Sequence, residues 1–183
     1  MITVWTLQHP SVLRTLQEGH TYAPTKAFID KHGEFAFDDD EVEWPQHRAY
    51  AWMHEEYAKR VEPISTERGL IWVWVRPKPD MRKLRHERPI ARLTLRIRPS
   101  RVLASDHAAW HRPLNRSPVA PLKTRRGSWS AYLDWDESTY GWPKEKVEST
   151  WPRIFDPKGF EEEVQGVIGE IRPSDVVKYE LFT

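Results

Sequence analysis

Pro89-Ile-Ala-Arg-Leu-Thr-Leu-Arg-Ile-Arg98 alternates residue by residue. Leu93, Leu95 and Ile97 fall on one side, and Arg92, Thr94, Arg96 and Arg98 on the other. This is the period of two that a strand imposes on its side chains. A strand with one apolar and one polar face belongs to an antiparallel sheet, because strands of parallel sheets read as unbroken apolar runs. The segment therefore predicts a half-buried strand with an arginine face.

Working outward, Val102-Leu-Ala-Ser-Asp-His-Ala-Ala-Trp-His-Arg-Pro-Leu-Asn115 follows at once. Ser105 or Asp106 is placed to cap a short helix ending near Arg112-Pro113, with Trp110 and Asn115 pinning the next loop. Before the arginine strand, Gly69-Leu-Ile-Trp-Val-Trp-Val-Arg76 reads as a strand closed by Pro77 and Pro79, with Trp72, Trp74 and Arg76 on one face. Earlier still, Ala49, Tyr50, Trp52, Met53, Tyr57, Ala58 and Val61 are spaced for one face of a helix lying between Pro45 and Pro63.

Ile2 to Leu7 alternates as a strand. Pro10 and Ser11 open a helix, with Ser11 as cap and Gly19 as stop. Residues 20–44 form an irregular excursion ending in a solvated acidic loop, Asp38-Asp-Asp-Glu-Val-Glu43. Beyond the basic loop 112–127, Ser128 to Asp136 reads as a strand and Lys144 to Phe155 as a helix interrupted by Pro152. Val164 to Ile171 and Val176 to Phe182 read as two further strands. The order predicts a single α+β domain over 1–183, with a mainly antiparallel sheet and a few short helices.

The composition narrows the chemistry. No Cys is present, which excludes disulfides, thiolate ligands and cysteine nucleophiles. No apolar run approaches the ~20 residues that span a bilayer, and Met1 to Leu7 lacks the pattern of a secretory signal, so a cytoplasmic protein without membrane contact is expected. Neither a phosphate-binding P-loop nor a Gly-x-Gly-x-x-Gly turn occurs. His107 and His111 lack a third ligand at matching spacing, so no metal is expected. No Gly-x-Ser-x-Gly elbow marks a hydrolase.

Net charge is +1, yet residues 76–126 hold 15 Lys or Arg against three acids. Such a segment suits a phosphate-bearing partner, nucleic acid included, or else neutralises the acidic remainder of the chain. Two strand features suggest a nucleotide. Trp72 and Trp74 supply a stacking wall beside Arg76, or simply pack in the core. Glu170 ends an otherwise apolar strand, either as an outward edge residue or as a carboxylate for a cationic ribosyl transition state.

Trp5-Thr-Leu-Gln8, Ala49-Tyr-Ala-Trp-Met53, Ile71-Trp-Val-Trp74, Val102-Leu-Ala-Ser-Asp106 with Trp110 and Asn115, and Val164-Gln-Gly-Val-Ile-Gly-Glu-Ile171 resemble an uncharacterised bacterial family, a domain of unknown function, over nearly the whole chain. In its order of elements the chain more distantly resembles the ADP-ribosyltransferase superfamily. That resemblance implies NAD as substrate and Glu170 as the catalytic carboxylate. Trp5 and Thr6 would then line the nicotinamide side, Trp72 or Trp74 would form a stacking wall, and Arg76 and Arg92 would meet the pyrophosphate. Asp106, Trp110 and Asn115 would be structural or line the cleft. The superfamily's first-strand His or Arg is replaced near Trp5 or Thr6, and Gln165 and Glu170 stand five apart.

The alternatives are a non-catalytic nucleic-acid-binding module, whose arginine strand and Lys123-Thr-Arg-Arg126 track phosphates, and a partner-binding protein without either activity.

Overall fold

The computed structural model describes residues 1–25, 45–82 and 89–182. The acidic run 38–43 and Lys83, Arg85 and Arg88 of the basic segment 76–126 lie outside the described residues. Six strands form one sheet: β1 (Ile2–Gln8), β2 (Ile71–Arg76), β3 (Ile90–Ile97), β4 (Leu103–Asp106), β5 (Val164–Ile168) and β6 (Val176–Phe182), in the order β4-β5-β2-β1-β3-β6. The pairs β1–β2, β1–β3 and β3–β6 are antiparallel. The helices among the described residues are α1 (Pro10–Gln17), α2 (Pro45–Arg60), α3 (His107–Leu114), α4 (Leu122–Arg125), α5 (Trp129–Ser138) and α6 (Lys144–Glu148). The protein is thus α+β.

The described residues fall into two compact units, drawn from Met1–Glu41, His54–Ala104 and Gln165–Thr183 and from Val42–Met53 and Ser105–Val164. In the first unit the alternation of β3 sets the layers. Leu93, Leu95 and Ile97 are fully buried, and with Val4, Ile71, Val73, Ile168 and Ile171 they form one apolar face. Helix α1 covers that face with Val12, Leu13 and Leu16, the stripe a two-turn helix can offer. The cap of α1 is His9, whose Nδ1 accepts the Ser11 N–H, so the cap lies two residues before the expected Ser11. Gly19 at φ +87° then turns the chain away, a conformation without Cβ cost only for glycine.

The second unit holds the first half of α2 and helices α3 to α6. Its centre is aromatic. Trp52 stacks on Phe155 (centroids 5.4 Å apart) and meets Trp151 edge-on at 5.3 Å, with Trp110 stacked at 6.5 Å.

Three sequence expectations need correction. Ser128 to Asp136 is no strand. Ser128 caps a helix by accepting the Ala131 N–H (3.2 Å), and Trp129, Tyr132 and Trp135 recur every third residue along it. The expected helix 144–155 stops at Glu148 and resumes as a 3₁₀ turn over Trp151–Phe155, where Pro152 removes an N–H donor. The strand over 164–171 ends at Ile168, two residues short of Glu170.

Candidate functional site

Glu170 leaves the sheet because side chains take its backbone. The Gly169 N–H donates to the Tyr57 hydroxyl (3.0 Å), Arg68 Nη2 donates to the Gly169 carbonyl (3.0 Å), and Arg101 Nη2 donates to the Glu170 carbonyl (3.1 Å). Tyr57 is wholly buried, and its hydroxyl donates a hydrogen bond to Glu62 Oε1 at 3.1 Å. Burial and the Glu62 charge push its phenol up to about 12, so it stays neutral. Arg101 is fixed in turn by Asp175 in a buried ion pair at 2.8 Å.

The Glu170 carboxylate accepts Arg172 Nε at 2.8 Å and faces Arg68 Nη2 at 3.5 Å. The Arg172 hydrogen bond, aided by the charges of Arg172 and Arg68, lowers its pKa against the opposing effect of burial. Glu170 is therefore an ionised hydrogen-bond acceptor clasped between two cations. It is suited to orienting a hydroxyl or facing positive charge, and unsuited to donating a proton near neutrality.

The other expected nucleotide-contacting residues are on β1, β2 and β3. Trp5 stands opposite Trp74 on one side and Thr94 on the other. Leu7 stands opposite Arg92, so alternation puts Trp5, Trp72, Trp74, Arg76 and Arg92 on the sheet face turned away from α1. Thr6 points the other way: it is fully buried, and its Oγ1 donates to the Trp72 carbonyl at 2.8 Å. Trp5 and Thr6 thus belong to opposite faces. Arg92 is engaged on all sides. Nε and Nη2 donate to Glu180 (3.1 and 2.8 Å), Nη1 donates to the Pro79 carbonyl (2.5 Å), and the guanidinium lies 5.5 Å from the Phe182 ring centre.

In the second unit Asp106 is the cap of α3, accepting the Ala109 N–H at 2.7 Å and, from a distant segment, the Glu161 N–H at 2.9 Å. Trp110 is buried against Tyr50 and Trp52. Asn115 closes the helix, its Nδ2 donating to the His111 carbonyl at 2.7 Å. Among the described residues no group of three His, Asp or Glu could hold a metal ion. No helix among them is long and apolar enough to cross a membrane.

The sequence points to Lys123, Arg125 and Arg126 of α4 and its cap as phosphate contacts, but not to the aromatic surface of α5 that follows them. Helix α5 has no buried residue, although Trp129, Tyr132, Leu133 and Trp135 lie on it. Trp129 is 72% exposed, and its ring lies parallel to that of Tyr132, with centroids 5.6 Å apart and planes at 9°. Trp135 follows at 6.2 Å from Tyr132, and Trp142 stands edge-on to Trp135 at 6.3 Å with Lys146 over its face. Immediately before α5, Lys123, Arg125 and Arg126 project from α4 and its cap with no carboxylate within ion-pair distance among the described residues. The recurrence of aromatic residues at 129, 132 and 135 was the available signal. It was lost because Trp and Tyr also favour strands.

A sheet built on antiparallel pairs, joined in one chain with a helical unit bearing an aromatic and basic surface, defines an α+β protein. The chain belongs to the family described as "Domain of unknown function (DUF3841)", whose model matches residues 3–177. No curated protein and no solved structure matches the chain.

Proposed function

We propose that the chain binds single-stranded nucleic acid through the surface of α4 and α5. The observation that carries this reading is the exposed Trp129 ring stacked on the half-buried Tyr132, on a helix with no fully buried residue. Solvated single apolar residues are ordinary, but here an exposed indole and an exposed leucine, Trp129 and Leu133, adjoin the half-buried rings of Tyr132 and Trp135 on one ten-residue helix, which supports a binding surface. Flat aromatic faces accept any base, at about 1–3 kcal/mol per stacked base. Lys123, Arg125 and Arg126 stand next in the chain to take phosphates. Anisotropy of a labelled single-stranded oligonucleotide tests the reading. Trp129→Ala weakens binding roughly tenfold, and an unchanged affinity overturns the reading.

A second reading, ADP-ribosyl transfer from NAD, is favoured by Glu170. Its carboxylate is kept ionised by Arg172 and Arg68, the form that stabilises an oxocarbenium-like centre. Trp5, Trp72 and Trp74 would supply the stacking wall beside Arg76 and Arg92. Asp106, Trp110 and Asn115 act in this reading as supports of the fold. NAD consumption by wild type beside Glu170→Ala decides it. Turnover that falls on the order of 10²-fold or more in the variant supports it, and no turnover under any condition removes it.

A further inference from the structure

Two cations of the helical unit, Arg125 and Arg126, reach the turn Pro157–Gly159, and Arg153 lies on the 3₁₀ turn just before it. Arg125 extends from α4 over the turn Pro157–Gly159, where its guanidinium lies flat against Gly159. A Cβ built there would come 2.2 Å from Nη2 and 3.0 Å from Cζ. Its Nε is buried and makes no hydrogen bond among the described residues. Arg153, on the preceding 3₁₀ turn, anchors Nη1 on the Val119 carbonyl at 2.6 Å, and Arg126 Nη2 donates to the Lys158 carbonyl. Asp156 is the acid in the turn, and its Oδ1 is committed to the Lys158 N–H at 3.0 Å.

Arg125 and Arg153 repel each other, and burial together with the Arg125 charge lowers the Arg153 pKa. Most other arginines described here have solved the same problem with a carboxylate: Arg92 with Glu180, Arg101 with Asp175, Arg112 with Asp136. Arg125, Arg126 and Arg153 are held by backbone carbonyls or by a glycine seat, which fix position without neutralising charge. Guanidinium groups fixed in this way, with donors left over, match the tetrahedral oxygens of a phosphate.

We infer that Arg125 and Arg153, seated by Gly159 and flanked by Arg126, form a binding site for a phosphate group. The site shares Arg125 and Arg126 with the proposed nucleic-acid surface, but its phosphate binding does not need the rings of α5. Its ligand is a phosphoryl oxyanion, whether free or at the end of a nucleic-acid strand.

The test is titration of the full chain with inorganic phosphate, followed by amide chemical shifts, in wild type, Arg125→Gln, Gly159→Ala and Trp129→Ala. Saturable binding is expected in wild type and in Trp129→Ala. It should weaken roughly tenfold or more in Arg125→Gln and in Gly159→Ala, which displaces the guanidinium while keeping the charge. Arg125 is only partly buried, and the clash at Gly159 falls on the end of a long side chain, so both variants are expected to fold. Melting curves check this. No saturation in wild type, or wild-type affinity retained in both variants, overturns the site. A 5′-phosphorylated oligonucleotide and its hydroxyl counterpart distinguish the two sources: tighter binding of the former that vanishes in Arg125→Gln places a strand end there. Phosphate binding without oligonucleotide binding keeps this site and removes the stacking reading. The reverse keeps the stacking reading and removes the site.

Discussion

Asp106 is the side chain on which most local structure depends. It ends β4, caps α3 and also takes the Glu161 N–H, so both carboxylate oxygens are spent on backbone donors in a buried setting. Asp106→Ala orphans two N–H groups, and a loss of about 2 kcal/mol or more is expected in denaturant unfolding. Glu180 has a different signature. The hydrogen bond from Arg92, with help from Lys178, lowers its pKa from 4.5 to about 2. A carboxylate depressed in the folded state adds stability above its unfolded pKa, and that stability is lost as pH falls from about 4.5 towards about 2. Because Glu180 is near the surface, the contribution is about 1 kcal/mol or less. Glu180→Gln should flatten this part of the acid limb in thermal melts taken across that range. Tyr57 is tied to the turn that carries Glu170: Tyr57→Phe leaves the buried Gly169 N–H unpaired, at about 1–3 kcal/mol in the same unfolding assay.

Among the elements, α5 separates binding from stability. With no buried residue on it, Trp129→Ala should move the unfolding free energy by about 0.5 kcal/mol or less while reducing oligonucleotide affinity. A large fall in stability would show that the indole packs instead of waiting for a ligand. The same helix shows where sequence reading works and where it fails. The β3 alternation and the α3 cap are local patterns, and both were legible to within a residue or two: the strand over 89–98 and the cap at Ser105 or Asp106. The Ser128–Asp136 run satisfies two patterns at once, since aromatic residues suit strands and a spacing of three suits helices. The Ser128 cap decides in favour of the helix. Glu170 was misplaced for another reason. Tyr57, Arg68 and Arg101 are distant in sequence, and nothing near residue 170 announces that they will claim its backbone.

Over the whole molecule, the excess of basic residues in 76–126 resolves into two populations. Lys78, Arg82, Arg92, Arg101 and Arg112 are each paired with a carboxylate, which fulfils the neutralising alternative for that part of the segment. Lys123, Arg125 and Arg126, like Arg96 and Arg98 at and after β3, are in no carboxylate pair among the described residues, and the first three directly precede the aromatic helix α5. Composition could count these charges but could not sort them, because pairing with Glu180, Asp175 or Asp136 is a property of the fold. The function proposed here rests on the three that precede α5 and on the rings beside them.

The most direct measurement is therefore a comparison of two single strands of equal length and charge, one with bases and one with abasic sites, titrated against the wild-type chain at the same salt. Stacking on Trp129 and Tyr132 predicts that the strand with bases binds roughly tenfold tighter or more. Equal affinity for the two strands would mean that only phosphates are recognised, and would contradict the account.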